Sequence, residues 1–468
     1  TTSILYIYIH RVLHHYIMGL ARKATIFAVA WFFIYVTVYF VFIAPSFLPK
    51  SSKYTAELQI SPPKITKQQS IKEIITLTDP FIPDACPDTD VTVVNVGVIV
   101  VCHDESPSSI IQTVKSILEN SGALSPQIVI VDDHSTVHVR DWSEWGRMDK
   151  NVVVVRTSRH IGISESRNAG LKTLAGKTDV VVFFDPGAIV SKDWLSPLLD
   201  TLQRHPRAVV YPVIDILEDQ SGTVLQAGNV LATLDWSMKL KWEDLDSVGG
   251  VINDRYPLLP AHPSASDELI SPAAPTVFAV NSKFLDDIGG LPTSSLLSAW
   301  GPDNIELSLR VWLCTDALII RQPCSRVAVR RCMIRSELPD GSLGEHLGIC
   351  PDSGTLMGYT QFEGDRDAMS IAELWLGKDY RRLVWQQRML KRFPYEVTPR
   401  DDVRHPDYIS KAPGIDVNKC NDFSWYLQKV YPGLSADRIV VKEQFEKSDT
   451  PDNMKRMLLP LIEQYRKS

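Results

Sequence analysis

An α/β fold around a twisted, mainly parallel sheet is predicted by two features of this sequence. One is the unbroken apolar run Val180-Val181-Val182-Phe183-Phe184, with a helical pattern on either side; the other is the alternation of short β-rich segments with helices from Val91 onward. An apolar stretch of that length reads as a central parallel strand covered on both faces. It ends in Asp185-Pro186-Gly187, so an acid stands at the carboxyl end of the strand, where open α/β sheets bind their ligands.

The elements follow in order. Val93–Val101 reads as a strand, and Ser106-Pro107 supplies an N-cap and a first-turn proline for a helix running to about Asn120. Gln127–Val131 is the next strand and ends in Asp132-Asp133. Val152–Arg156 is a third strand, Ser164–Leu174 a helix, and Asp179–Phe184 the fourth strand. Such a βαβ series implies right-handed crossovers and a nucleotide-binding half. Past Asp215 the pattern is less regular, with Trp236, Trp242, Trp300 and Trp312 among turns. Asn304–Leu313 is a helix candidate whose Ile305, Leu309 and Trp312 share one face, so Trp312 reads as core.

The 468 residues allow two or three domains, and 44% hydrophobic with 22% charged residues is an ordinary globular balance. A net charge of -6 without a basic stripe gives no reason to expect a nucleic-acid partner. Ala24 to Ala44 carries no charge and is long enough to cross a hydrocarbon core of roughly 30 Å. Arg22 and Lys23 at its amino end predict a single-pass anchor with the amino terminus in the cytosol, Met18 opening a short tail. Pro45 to about Asp90 then reads as an extended stem. Seven cysteines, none in a C-x-x-C pair, make disulfides plausible and leave at least one thiol over.

A long ordered set of motifs resembles the polypeptide N-acetylgalactosaminyltransferases, which start mucin-type O-glycosylation in the Golgi. Cys102-His103-Asp104-Glu105 and Thr113-Val114-Lys115-Ser116 come first, then Val131-Asp132-Asp133-His134-Ser135, then Gly162-Ile163 with Ser166-Arg167. Asp235-Trp236, Lys241-Trp242, Trp300-Gly301, Asn304, Glu306 and Pro323-Cys324-Ser325-Arg326-Val327 continue it. Ala372-Glu373-Leu374-Trp375 and Cys420 with Phe423-Ser424-Trp425-Tyr426-Leu427 close it.

This resemblance implies the sheet-centred fold called GT-A in a Golgi membrane protein with a lumenal catalytic domain. It implies UDP-GalNAc as donor, Mn²⁺ as cofactor and Ser/Thr-containing polypeptides as acceptors, with retention of configuration. The matched positions imply UDP contacts from His103, Glu105, Asp132, Arg167 and Asp185, with Asp132 reading the uracil, and catalytic roles for Trp300, Asp303 and Asn304. Matched cysteines imply the pairs Cys86–Cys324 and Cys314–Cys420, leaving Cys102, Cys332 and Cys350. The domain layout expected is a cytosolic tail over 1–23, the anchor over 24–44, a stem over 45–90, a UDP-binding half over 91–212, a donor-sugar and acceptor half over 213–333, the rest of the catalytic region over 334–435, and a tail over 436–468 without a ricin-like lectin domain.

Departures from the family pattern fall on the chemistry. Of three metal ligands only Asp185 is kept, Gly187 and Val329 standing where the family has histidine. Asp303 is one methylene shorter than the family glutamate, and Pro275-Thr276 replaces a Gly-Gly floor beneath the sugar. Arg330 and Arg331, next to Val329, are candidate phosphate-binding cations in place of the metal. The competing reading is an inactive pseudoglycosyltransferase that binds UDP, peptide or an active relative.

Overall fold

The computed structural model describes Cys86, Val91 and residues 94–139, 150–218, 224–225, 227–248, 252–293, 296–297, 302–337, 343–349, 361–389 and 404–435. The chain divides into two units, Thr1–Lys72 and Glu73–Ser468. The first unit, and with it the predicted anchor Ala24–Ala44, lies outside the described residues. Among the described residues no helix is long and apolar enough to cross a membrane.

The elements are β1 (Val96–Cys102), α1 (Pro107–Asn120), β2 (Gln127–Asp132), β3 (Val152–Arg156), α2 (Ile163–Leu174), β4 (Val180–Phe184), β5 (Ile189–Val190), α3 (Leu195–Arg204), β6 (Val209–Glu218), β7 (Val224–Leu225), β8 (Val230–Leu234) and β9 (Leu240–Asp244). After them come β10 (Leu269–Ile270), β11 (Phe278–Asn281), α4 (Ser282–Asp287), α5 (Asp303–Cys314), β12 (Ile319–Glu337), β13 (Leu343–Ile349), α6 (Gln361–Trp375), α7 (Gly377–Met389) and α8 (Phe423–Lys429). Ser106 caps α1 as its position predicts, its hydroxyl accepting from Ser109 N at 3.2 Å.

The strands β3, β2, β1 and β4 form a parallel block in that order, with Val98 against Ile128 and Val182. Every side chain of β1 and β4 is buried because both faces of the block are covered. Ile99, Val129, Val181 and Phe183 join one core cluster, while their neighbours Val98, Ile128, Val182 and Phe184 join the other. That two-residue alternation is why an unbroken apolar run forms a strand here.

Beyond β4 the sheet is mixed, less uniformly parallel than the sequence pattern suggests. The short β11 lies antiparallel to both β4 and β6, whereas β12 runs parallel to β6. Reversal of β11 follows from its connection, since among the described residues no crossover helix long enough to return the chain lies between β6 and β11. The boundaries expected at 212 and 333 fall inside β6 and β12, so the two halves share one sheet. Disulfides join Cys86 to Cys324 and Cys314 to Cys420, with Cα separations of 5.6 and 4.1 Å, as the resemblance implies. Cys102 is a buried free thiol. Trp312 is 4% exposed and packs in the core, as its helical spacing predicts.

Candidate active site

The carboxyl ends of β1, β2, β3 and β4 gather the predicted nucleotide-side residues at one edge of the parallel block. Asp132 ends β2 and Asp133 follows it, and both side chains are fully buried. Ser135 N donates to Asp132 Oδ1 at 2.8 Å, and Arg156 Nη1 and Val139 N donate to Oδ2 at 2.6 and 3.2 Å. Burial would raise this carboxyl, but those donors outweigh it and hold it below the usual range. Asp132 therefore orders its own loop through three donors.

Asp133 fixes the start of α2. Its Oδ1 accepts from Ile161 N at 2.8 Å and its Oδ2 from Gly162 N at 2.7 Å, while His160 Nδ1 lies 2.9 Å from Oδ2. Gly162 takes φ 88°, a conformation few residues other than glycine adopt, which lets the chain turn from β3 into the helix. His103 Nδ1 lies 2.6 Å from the Asp133 carbonyl oxygen, which can only accept, so that nitrogen carries the proton. The rings of His103 and His160 are 4.1 Å apart. His160 carries no sequence signal, and only the fold brings it here. Glu105 is half-buried in the turn between β1 and α1.

A second cluster forms around Arg167 on α2, which is 1% exposed. Its Nη1 donates to Asp303 Oδ2 at 2.9 Å, and its Nη2 donates to Asp185 Oδ1 at 3.4 Å and to the Thr276 carbonyl at 3.0 Å. The Thr276 hydroxyl donates to Asp185 Oδ2. Phe278 of β11 pairs with Phe183 of β4, so the chain two residues further on each side brings Thr276 abreast of Asp185. Burial pushes the Asp185 carboxyl above its usual range; Arg167 and Thr276 oppose that and Asp303 adds to it.

Asp303 opens α5, where an acid in the first turn faces the positive end of the helix. Asn304 Nδ2 donates to the Ala274 carbonyl at 2.8 Å and Ala274 N donates to Ser308 Oγ at 2.9 Å, pinning the 271–276 segment to α5. Asn304 thus has a structural partner, a tie the sequence does not signal. Trp300 lies outside the described residues.

The residues do not fit a Mn²⁺ held in the family manner. Gly187 has no side chain and takes φ 82°, and Val329 is 7% exposed in an apolar cluster. Both oxygens of Asp185 already accept hydrogen bonds. Among the described residues no group of three His, Cys, Asp or Glu is arranged to hold a metal ion. Arg330 and Arg331 extend β12 opposite Leu217 and Glu218, and their side chains lie outside the described residues. A cavity of about 520 Å³ lined by Arg207, Phe284, Asp287 and Gly414 lies by the amino ends of β4 and β6, at the far edge of the sheet from Asp185.

Residues 97–250 match the model of glycosyl transferase family 2. The chain is 28% identical over 376 residues to polypeptide N-acetylgalactosaminyltransferase 4 of Caenorhabditis elegans, covering 78% of this chain and 56% of that protein. It is 28% identical over 347 residues to polypeptide N-acetylgalactosaminyltransferase 14 of Homo sapiens, covering 73% and 55%. The chain spans about half the length of the curated relatives it matches. The crystal structure of GalNAc-T7 with UDP, GalNAc and Mn²⁺ superposes with a TM-score of 0.55 at 19% identity, over 75% of this chain and 58% of that one. The sheet with its edge cluster is accordingly a GT-A fold. With residues 97–250 matching glycosyl transferase family 2 and this run of relatives, the chain is similar to the polypeptide N-acetylgalactosaminyltransferases over about three quarters of its length.

Proposed function

We propose that the protein transfers GalNAc from UDP-GalNAc to Ser or Thr hydroxyls of polypeptides with retention, as a type II Golgi membrane protein with a lumenal catalytic domain. The observation that carries this reading is the Arg167, Asp185, Asp303 and Thr276 cluster at the carboxyl edge of the sheet, where open α/β sheets bind their ligands, in a chain that matches glycosyl transferase family 2. The buried, always-ionised Arg167 guanidinium holds Asp185 and Asp303 at that edge, and Arg330 and Arg331 of β12 are the candidate cations for a leaving diphosphate. With only Asp185 kept from the ligand triad, no step is assigned to Mn²⁺.

The pseudoglycosyltransferase reading is favoured by one observation, a hydrogen bond already on each oxygen of Asp185. One assay separates the two readings. The purified chain is incubated with UDP-GalNAc labelled in the sugar and with Ser/Thr-rich peptides, and peptide-bound label and free UDP are both counted. Label on peptide, released by β-elimination, supports the transferase. Binding of UDP-GalNAc without label transfer or UDP release leaves the pseudoenzyme.

A further inference from the structure

We propose that Thr276 is the residue that makes nucleotide binding at this site independent of divalent metal, because its hydroxyl, together with Arg167, takes the carboxylate oxygens a metal would need. This rests on the donor-site reading above.

Loss of the two histidines is not by itself enough to exclude a metal. A hard divalent cation arriving on a diphosphate keeps several waters and can be held by as little as one carboxylate plus the phosphate oxygens. Asp185 alone could therefore receive a metal–UDP complex if an oxygen were open. Each already carries one donor, so a metal would have to share it: Oδ1 accepts from Arg167 Nη2 at 3.4 Å and Oδ2 accepts from the Thr276 hydroxyl.

The two locks differ in strength. Arg167 is held chiefly by Asp303 at 2.9 Å and by the Thr276 carbonyl at 3.0 Å, so its hold on Asp185 is the longest of its contacts. The hydroxyl comes from a residue whose backbone is held in place. Thr276 lies two residues ahead of β11, and the segment before it is tied to α5 through Asn304 and Ser308. Its backbone cannot move away without dragging a strand end and a helix start. Glycine at this position would leave Asp185 Oδ2 open, and threonine closes it.

The test is calorimetric titration of UDP into the full chain in chelator and in MnCl₂, for wild type, Thr276→Ser and Thr276→Val. Valine keeps the shape and removes the donor; serine keeps the donor. Wild type and Thr276→Ser should bind UDP equally with and without Mn²⁺, within about twofold. Thr276→Val should gain about tenfold or more from Mn²⁺, once Asp185 Oδ2 can coordinate. A wild-type affinity that rises about tenfold with Mn²⁺ overturns the proposal, and so does a Thr276→Val protein as indifferent to Mn²⁺ as wild type. Circular dichroism of each variant checks folding. Equal affinities in a chain that transfers no sugar would sink the transferase reading and leave this lock standing. Transfer that stops in chelator would do the reverse.

Discussion

Arg167 Nη1 and Asp303 Oδ2 meet at 2.9 Å with their side chains 1% and 2% exposed, joining the start of α2 to the start of α5 across 136 positions of sequence. Arg167 also lies 5.3 Å from the Phe183 ring centroid, so apolar surface surrounds the guanidinium. A charge so enclosed is costly to leave unpaired. Arg167→Ala should lower unfolding stability by about 3–5 kcal/mol, because two carboxylates then face each other without a cation. Chemical denaturation measures this, and a loss below about 1 kcal/mol would mean that the pair opens to solvent.

Gly187→His with Val329→His rebuilds the family's ligand identities but should not rebuild the site. A Cβ at Gly187 would stand 2.8 Å from Ser109 Oγ, at a backbone φ of 82°. The left-handed backbone alone costs roughly 1–2 kcal/mol for a residue other than glycine. Val329→His adds an imidazole to an apolar cluster. The double variant should unfold at lower denaturant and gain no Mn²⁺ binding in a direct metal titration. One tightly bound Mn²⁺ per chain would show that the turn can rearrange.

The parallel block was legible because its signals are local. A fully apolar strand, Ser106-Pro107 at a helix start and acids at strand ends each depend on a few adjacent residues. The reversed β11 was not, since its direction is set by connections rather than by its own four residues. At the site, sequence reasoning found Arg167, Asp185 and Asp303 but read Thr276 only as bulk. Its hydroxyl matters through the β11–β4 register, which no local pattern encodes. The tie of Asp132 to Arg156, Ser135 and Val139 also has no signal in the sequence. Those donors come from loops and a neighbouring strand that spacing alone does not bring together.

Asp133 should make stability fall in acid. Burial raises its carboxyl, but His160 and the Ile161 and Gly162 amides more than offset that, so its folded pKa lies below the unfolded value of about 3.9. A depressed folded pKa gives a contribution that is complete above the unfolded pKa and lost as pH falls through the folded one. Asp133→Asn should therefore cost about 1–3 kcal/mol near neutral pH, with the gap to wild type closing below about pH 4. Urea midpoints across pH test it. A gap constant from neutral pH to pH 3 would mean that the lost interaction is not the ionised carboxylate.

Arg330 and Arg331 should carry a large part of the affinity for the diphosphate. When both carboxylates are ionised, Asp185 and Asp303 outnumber Arg167, so the cluster itself is one charge negative. A diphosphate brings about two more negative charges, and burying them uncompensated costs several kcal/mol. Cations must come from a neighbouring element. Strand β12 is well placed for this, because Val327 and Ala328 pair with Val190 and Ile189 of β5, the strand that follows the Asp185-Pro186-Gly187 turn. Arg330 and Arg331 follow Val329 along that strand. Arg330→Ala with Arg331→Ala should weaken UDP binding in chelator by about tenfold or more, and uridine binding by much less, since only UDP carries phosphates. Equal losses for UDP and uridine would point to a folding defect, and no loss for either would remove both arginines from the site.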